Sequence, residues 1–276
     1  DYSNQIEQDW GLNHDLEREK MPAFEQIETN QQIVDGVNGN RITLHIHRPV
    51  KQTSALPAIV HTHGGGMTIM SAEDPSYVRW RSLLATQDLV VIGVEFRNAG
   101  GRLGNSPFPA GLNDCASATK WVFDNKKELN ISSIIISGES GGGNLSIATA
   151  LKAKKENWLN QINGVYACCP YISGLYEKKP ANLVSLREND DYLINCDQMA
   201  VLACLYDPNG KNEKNPLAWP YHATEQDLHG LPPHFIWTNE LDPLRDEGIA
   251  FYRKLLAAGC LLYTSPSPRD GLLARM

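Results

Sequence analysis

Apolar and polar positions alternate along Arg41-Ile42-Thr43-Leu44-His45-Ile46-His47, the period of a half-buried strand with one face on a core. The period puts His45 and His47 on one face. With no carboxylate or cysteine nearby in the chain, they read as exposed strand residues rather than a metal pair. Ala58-Ile59-Val60-His61-Thr62, Leu89-Val90-Val91-Ile92-Gly93-Val94 and Ile134-Ile135-Ile136-Ser137 show a different pattern. They are short continuous apolar runs, as expected of strands buried on both faces. Ile162 to Cys169 and His234-Phe235-Ile236-Trp237 complete the strand set. Helical spacing covers Asp114 to Asn125, Asn144 to Lys155 and Asp246 to Ala258. The cluster Lys152, Lys154, Lys155 and Glu156 ends the second of these, where cations complement the helix dipole. Strands alternating with helices predict an α/β fold, a mostly parallel central sheet with helices on both faces.

The remaining stretches carry weaker patterns. Residues 1 to about 30 are polar and helical in flavour, with Trp10, Leu12, Leu16 and Phe24 as scattered apolar anchors. Tyr171 to about Gly230 is poor in strand signal and holds Asp207-Pro208-Asn209-Gly210, so it reads as an inserted helical cap above the sheet. The expected organisation is an N-terminal segment over residues 1–40 that contributes to the cap, then a main domain over 41–259 with the cap at about 171–230. Cys260-Leu261-Leu262-Tyr263-Thr264-Ser265-Pro266-Ser267-Pro268-Arg269-Asp270 resembles, over eleven codons, the in-frame translation of a transposase sequencing adapter. Residues 260–276 are therefore expected to be an artefact outside the fold, and a chain opening on Asp1 is expected to be an internal fragment.

Bulk properties narrow the function classes. At 276 residues, 42% hydrophobic and 21% charged, the chain suits one domain with an insertion. A net charge of −7 gives no electrostatic footprint for nucleic acid. No apolar run approaches the length of a membrane span. The six cysteines have neither metal-ligand spacing nor the density of a disulfide scaffold. Cys168 and Cys169, adjacent in a strand, are expected to point to opposite faces. Reduced thiols and a cytoplasmic setting are the expectation.

Three motifs carry candidate chemistry. Gly138-Glu139-Ser140-Gly141-Gly142 follows a buried strand and precedes a helix, the setting in which G-x-S-x-G exposes a serine nucleophile on a strained turn. His63-Gly64-Gly65-Gly66 also follows a strand, and its glycines let N–H groups turn toward a reacting carbonyl. Gly65, Gly66 and Gly141 are the expected oxyanion donors. His63 is expected to brace the loop, with Gly64 and Glu139 as supporting positions. Asp242 lies just beyond the strand ending at Trp237, where catalytic groups gather in open α/β sheets. Asp246 competes with it but is better explained as a first-turn helix acid. This fold orders its triad as Ser, then an acid, then His, yet all eight histidines lie between His14 and His234.

Together with Phe96-Arg97-Asn98-Ala99, Gly143-Asn144-Leu145, Pro170-Tyr171-Ile172-Ser173-Gly174, Ala218-Trp219-Pro220-Tyr221 and Asn239 to Gly248, these motifs make the chain similar to the hormone-sensitive-lipase group of α/β hydrolases. The resemblance runs from about Trp10 to Gly259. It implies the α/β-hydrolase fold with a helical cap, and a carboxylic-ester hydrolase acting on small acyl esters or lactones. It also implies Ser140 as nucleophile, Asp242 as acid, and no cofactor or metal. After Gly259 the pattern departs. The group's last strand, its His-Gly loop with the base, and its final helix are expected to be missing, leaving this fragment nearly inactive. A non-catalytic small-molecule receptor of the same fold is the rival reading. No oligomeric state follows from these patterns.

Overall fold

The computed structural model describes residues 2–11, 20 and 22–263. In chain order the strands are β1 (Ile27–Asp35), β2 (Arg41–Pro49), β3 (Leu56–Thr62), β4 (Val90–Glu95), β5 (Ile131–Glu139), β6 (Gly164–Cys168), β7 (His234–Trp237) and β8 (Leu262–Tyr263). The helices are α1 (Tyr2–Gly11), α2 (Pro75–Ala85), α3 (Ala110–Asp124), α4 (Gly141–Lys155), α5 (Ser185–Glu188), α6 (Cys196–Tyr206), α7 (Glu225–Leu228) and α8 (Arg245–Ala257). One eight-stranded sheet runs in the order β1-β2-β4-β3-β5-β6-β7-β8. Every pairing from β4 to β8 is parallel, while β1 and β2 join as antiparallel strands.

The β-branched runs explain the centre of this sheet. Val90, Val91, Ile92 and Val94 in β4 and Ile134 and Ile136 in β5 are fully buried. Such side chains pack well on a pleated surface covered on both faces. Helix α4 lies against β5, β6 and β3. It can come that close because Gly142 has no side chain, and a Cβ there would collide with Thr62 O. Thr62 Oγ1 in turn donates to Gly142 O at 2.8 Å.

Several expectations change. His45 and His47 are not surface residues, being 5% and 1% exposed. Strand β1, whose polar sequence Ile27–Asp35 shows no apolar period, takes the sheet edge and makes β2 an interior strand. Helix α2 then closes over β2, bringing His47 Nδ1 to 3.1 Å from Ser82 Oγ. Burial pushes the His47 pKa down to about 3, with help from the Arg81 charge, so the ring is neutral at physiological pH. Within residues 1–40, Ile27–Asp35 therefore belongs to the sheet. Helix α1 instead packs Ile6 against Ile69 and Leu202. Leu12, Leu16 and His14 lie outside the described residues.

Past Gly259 the chain was expected to add no strand, yet β8 pairs with β7 through His234↔Leu262 and Phe235↔Tyr263. The edge of β7 presents unpaired backbone groups, and an apolar segment within reach satisfies them. Accordingly His234 N–H donates to Leu261 O at 3.0 Å, and Cys260 is buried in the core beneath α8. Residues 264–276 lie outside the described residues.

Residues 171–230 hold α5, α6 and α7 and, among the described residues, no strand. Their anchor to the sheet layer is Glu247 in the first turn of α8. Its carboxylate is 1% exposed. Oε1 accepts from Ile172 N–H at 2.7 Å and Tyr176 O–H at 2.9 Å, and Oε2 accepts from the Ser173 hydroxyl. Burial raises its pKa to about 7, against the lowering effect of these donors. A carboxyl whose folded pKa exceeds its unfolded one stabilises the fold below the unfolded value, and that contribution is lost as pH rises through the folded value. Urea unfolding across pH should therefore show the stability of the chain relative to Glu247→Gln falling by roughly 3 kcal/mol between pH about 4.5 and 7.5. A difference that stays flat over that window contradicts this account.

Candidate active site

Four neighbouring parallel strands, β3, β5, β6 and β7, end on one edge of the sheet. The three motifs with candidate chemistry follow the ends of β3, β5 and β7, on the edge where open α/β sheets collect their functional groups.

Strand β5 delivers Ser140. Its backbone sits at φ 51° and ψ −118°, in a region an L-residue enters only under constraint. The constraint is a set of backbone hydrogen bonds. Ser140 N–H donates to Cys168 O at 2.9 Å. Ser140 O accepts from Tyr171 N–H at 3.0 Å and Asn144 N–H at 3.1 Å. Asn144 Nδ2 reaches Tyr171 O and Ala218 O, both at 2.9 Å, tying the start of α4 to the inserted segment. The turn that bears the serine is thus held by two other parts of the chain. The serine itself is half-buried.

Strand β3 delivers the glycine loop. Gly65 adopts φ 88° and its carbonyl accepts from both Thr68 and Ile69 N–H at 3.0 Å, a tight turn whose crowding leaves no room for a Cβ. The loop lies directly against α4, so that a Cβ on Gly141 would stand 2.7 Å from Gly66 N. Among the described residues, no acceptor takes the N–H of Gly65, Gly66 or Gly141. The loop and the start of α4 thus carry three unengaged backbone donors among the described residues, and those of Gly66 and Gly141 lie against one another next to Ser140 in the chain.

The polar layer beneath the loop fixes its shape. Gly64 N–H donates to Tyr77 Oη of α2 at 3.1 Å. Fully buried His63 stacks on Phe96 with ring centroids 4.1 Å apart, and its Nδ1 lies 2.9 Å from Gly64 O. Burial pushes the His63 pKa down to about 3, so it is a neutral ring built into the loop. Glu139 Oε2 is 3.4 Å from His61 Nε2. On the far side, Asn98 Nδ2 donates to Met70 O at 2.7 Å and Ala99 N–H to Met67 O at 3.0 Å. Next to them Arg97 binds Asp114 through Nε and Nη2, both at 2.9 Å.

Strand β7 delivers Asp242, 7% exposed on the loop into α8. Its Oδ1 accepts from Leu244 N–H at 2.9 Å. Burial raises its pKa, against the lowering effect of Leu244 N–H and the Asn239 side chain. Asn189 Nδ2 grips the same loop through Glu240 O at 2.9 Å and Asp242 O at 3.1 Å. Asp246, the competitor, accepts from Ser185 N–H at 2.8 Å in the first helical turn. Tyr77 and Asn189 escape a sequence reading because each acts through long-range contacts that no local pattern marks.

The expected opposition of Cys168 and Cys169 also fails. Alternation holds only while both residues are extended. Here β6 stops at Cys168 and Cys169 turns to φ 35°. Their sulfurs come within 3.8 Å of each other.

A parallel sheet whose neighbouring strand ends carry a serine turn, a glycine loop and a buried acid has the layout of an α/β hydrolase. The chain belongs to that family: the alpha/beta hydrolase fold matches residues 59–263. It is 30% identical over 234 residues to the carboxylesterase NlhH of Mycobacterium tuberculosis, covering 82% of this chain and 69% of that protein. It is 31% identical over 221 residues to an arylesterase of Saccharolobus solfataricus, covering 79% and 68%. The structure superposes with a TM-score of 0.86 on brefeldin A esterase, described as a bacterial homologue of human hormone sensitive lipase. That match has 42% identity and covers 99% of this chain and 80% of the other. Fold and relatives together support a carboxylesterase.

The Tyr77 contact yields a direct test. Tyr77→Phe leaves the buried Gly64 N–H without its acceptor, which costs about 1–3 kcal/mol. Urea unfolding should show that loss; an unchanged midpoint would mean that the hydroxyl does not hold the loop.

Proposed function

We propose that the chain carries the catalytic apparatus of a serine carboxylesterase for small acyl esters or lactones, less its general base. Ser140 attacks the ester carbonyl, and the N–H groups of Gly65, Gly66 and Gly141 bind the oxyanion of the tetrahedral intermediate. The alcohol leaves, and water then releases the acyl group from Ser140. Asp242 orients the imidazole that takes the serine proton and stabilises it once charged. Helix α1 and residues 171–230 form the cap over this edge and shape the acyl pocket. The observation that carries this reading is the trio of unengaged N–H donors that accompany a serine at φ 51°. A pure receptor gains nothing from donors left open for a developing charge, and each such donor is worth roughly 10²–10³ in kcat.

The fold order assigns the base to a histidine after Asp242, and residues 243–276 contain none. His63 does not replace it, because it is buried, neutral and bound to Gly64 O.

The test uses the chain and the full product of the gene that encodes it. A product that carries a histidine after Asp242 should hydrolyse short-chain p-nitrophenyl esters, and its Ser140→Ala variant should lose on the order of 10⁶ in kcat. The chain itself, with none in residues 243–276, should sit near that same floor, about 10³–10⁴ above water. Turnover that survives Ser140→Ala removes Ser140 as the nucleophile. Tight ester binding by such a product without turnover establishes the receptor.

A further inference from the structure

The Cys168–Cys169 pair lies at the centre of the site edge, and the proposed mechanism gives it no role. Both thiols are free and half-buried. Their sulfurs stand 3.8 Å apart, a contact that adjacent residues of a regular strand never make. The peptide unit between them is bonded at both ends to the site. Its C=O accepts from Ser140 N–H at 2.9 Å, and its N–H donates to Trp237 O at 2.6 Å, at the end of the strand that leads to Asp242.

We infer that Cys168 and Cys169 form a redox-sensitive modification site, closed to a disulfide by hydroperoxides and reopened by dithiols, that displaces the backbone bearing Ser140. Three observations converge on it. The approach to bonding distance is short, from 3.8 Å to about 2.0 Å. The positive φ of Cys169 already departs from strand geometry toward the turned backbone that a ring of two adjacent residues demands. Finally, the Cys169 S–H donates to the Cys168 sulfur. That hydrogen bond holds the Cys168 thiol below its usual range and raises Cys169, which also feels burial and the Asp242 carboxylate. Cys168 is accordingly the attacking thiolate.

The chemistry balances in two displacements. The Cys168 thiolate attacks one peroxide oxygen and becomes a sulfenic acid, and the departing hydroxide takes a proton to leave as water. The Cys169 sulfur then attacks the sulfenic sulfur, the S–S bond forms, and the sulfenic hydroxyl leaves as a second water with the Cys169 proton. The two thiols lose two electrons and two protons, and the peroxide is reduced to water. The eight-membered ring forces the intervening peptide to rotate. It cannot do so while its C=O holds Ser140 N–H and its N–H holds Trp237 O. A disulfide strained in this way is readily reduced, the property of a regulatory rather than a structural bond. The consequence for ester hydrolysis rests on Ser140 being the nucleophile; ring closure itself does not.

The experiment treats the reduced chain with one equivalent of hydrogen peroxide, alkylates the remaining thiols, and examines the tryptic peptide 156–178, which carries these two cysteines and no other. The expected result is a peptide lighter by the mass of two hydrogen atoms, unalkylated, and restored by dithiothreitol. Exposed and solitary Cys204 should remain alkylatable or take up oxygen instead. Cys168→Ser and Cys169→Ser should each abolish the mass loss, and either variant alone suffices if the other does not fold. Hydrogen exchange over the segment containing Ser140 should quicken by about tenfold or more in the oxidised chain, and not in the variants. Two thiols that stay alkylatable, or that take up oxygen separately, overturn the site. A disulfide that leaves exchange at Ser140 unchanged overturns its coupling to the nucleophile turn. Neither readout needs ester turnover, so failure here is distinct from failure of the esterase reading.

Discussion

The backbone of Ser140 is the constraint around which the rest is arranged. A residue at φ 51° and ψ −118° relaxes unless its neighbours over-determine it, and such strain costs of order 1–3 kcal/mol. Here the restraint comes from β6 through Cys168 O, from the following segment through Tyr171 N–H, and from α4 through Asn144 N–H. Each restraint requires a long-range arrangement. The first needs β6 beside β5, the second needs the chain to turn sharply after Pro170, and the third needs α4 to start at once. Glycines at 138 and 142 then let α4 and β5 meet Thr62 without a collision. The strained turn therefore exists only in the assembled sheet.

The glycine loop is built on the opposite principle. Alone, His63-Gly64-Gly65-Gly66 would be among the floppiest stretches of the chain, since glycine has the most backbone freedom to lose. Its order is imposed from below by buried polar and aromatic contacts: Tyr77 on Gly64, Phe96 on His63, Asn98 on Met70, and the paired Arg97 and Asp114 behind them. Asp114 is buried within that pair while Arg97 is half-buried, so the carboxylate depends on the guanidinium for its partner. These contacts form a floor that keeps the loop's two unengaged donors, the N–H groups of Gly65 and Gly66, in a single arrangement. Fixed donors are what stabilise a developing charge without reorganisation during the reaction.

How much of this a sequence discloses depends on whether the cause is local. The buried strands were legible because β-branched runs such as Val90 to Val94 carry their own pattern. Ser140, Asp242 and the glycines were legible as candidates because each follows directly on such a run. Strand β1 was not, because six of its nine residues are exposed in succession and only pairing with β2 makes it a strand. That omission inverted the reading of His45 and His47 together with a second one, since β1 covers the edge of β2 and α2 covers the face on which His47 meets Ser82. The sulfurs of Cys168 and Cys169 were misplaced for a related reason. Where β6 ends is set by the turn at Ser140, and nothing in the cysteines reports it.

The sheet also bears on where a base can enter. In a parallel arrangement every strand points the same way, so the carboxyl end of β8 lies on the edge that holds the ends of β5 and β7. Among the described residues, His222, His229 and His234 are committed elsewhere. His222 is bonded to Ser173 O, His229 to Ala258 O, and His234 to Pro232 O. Asp242 itself favours a cationic or donor partner, for burial raises its pKa and only a backbone N–H and the Asn239 side chain oppose that shift. An imidazole hydrogen-bonded there would gain most on becoming charged, which is the moment at which it takes the proton of the serine. Strand direction thus brings Ser140, after β5, and Asp242, after β7, to the same edge of the sheet.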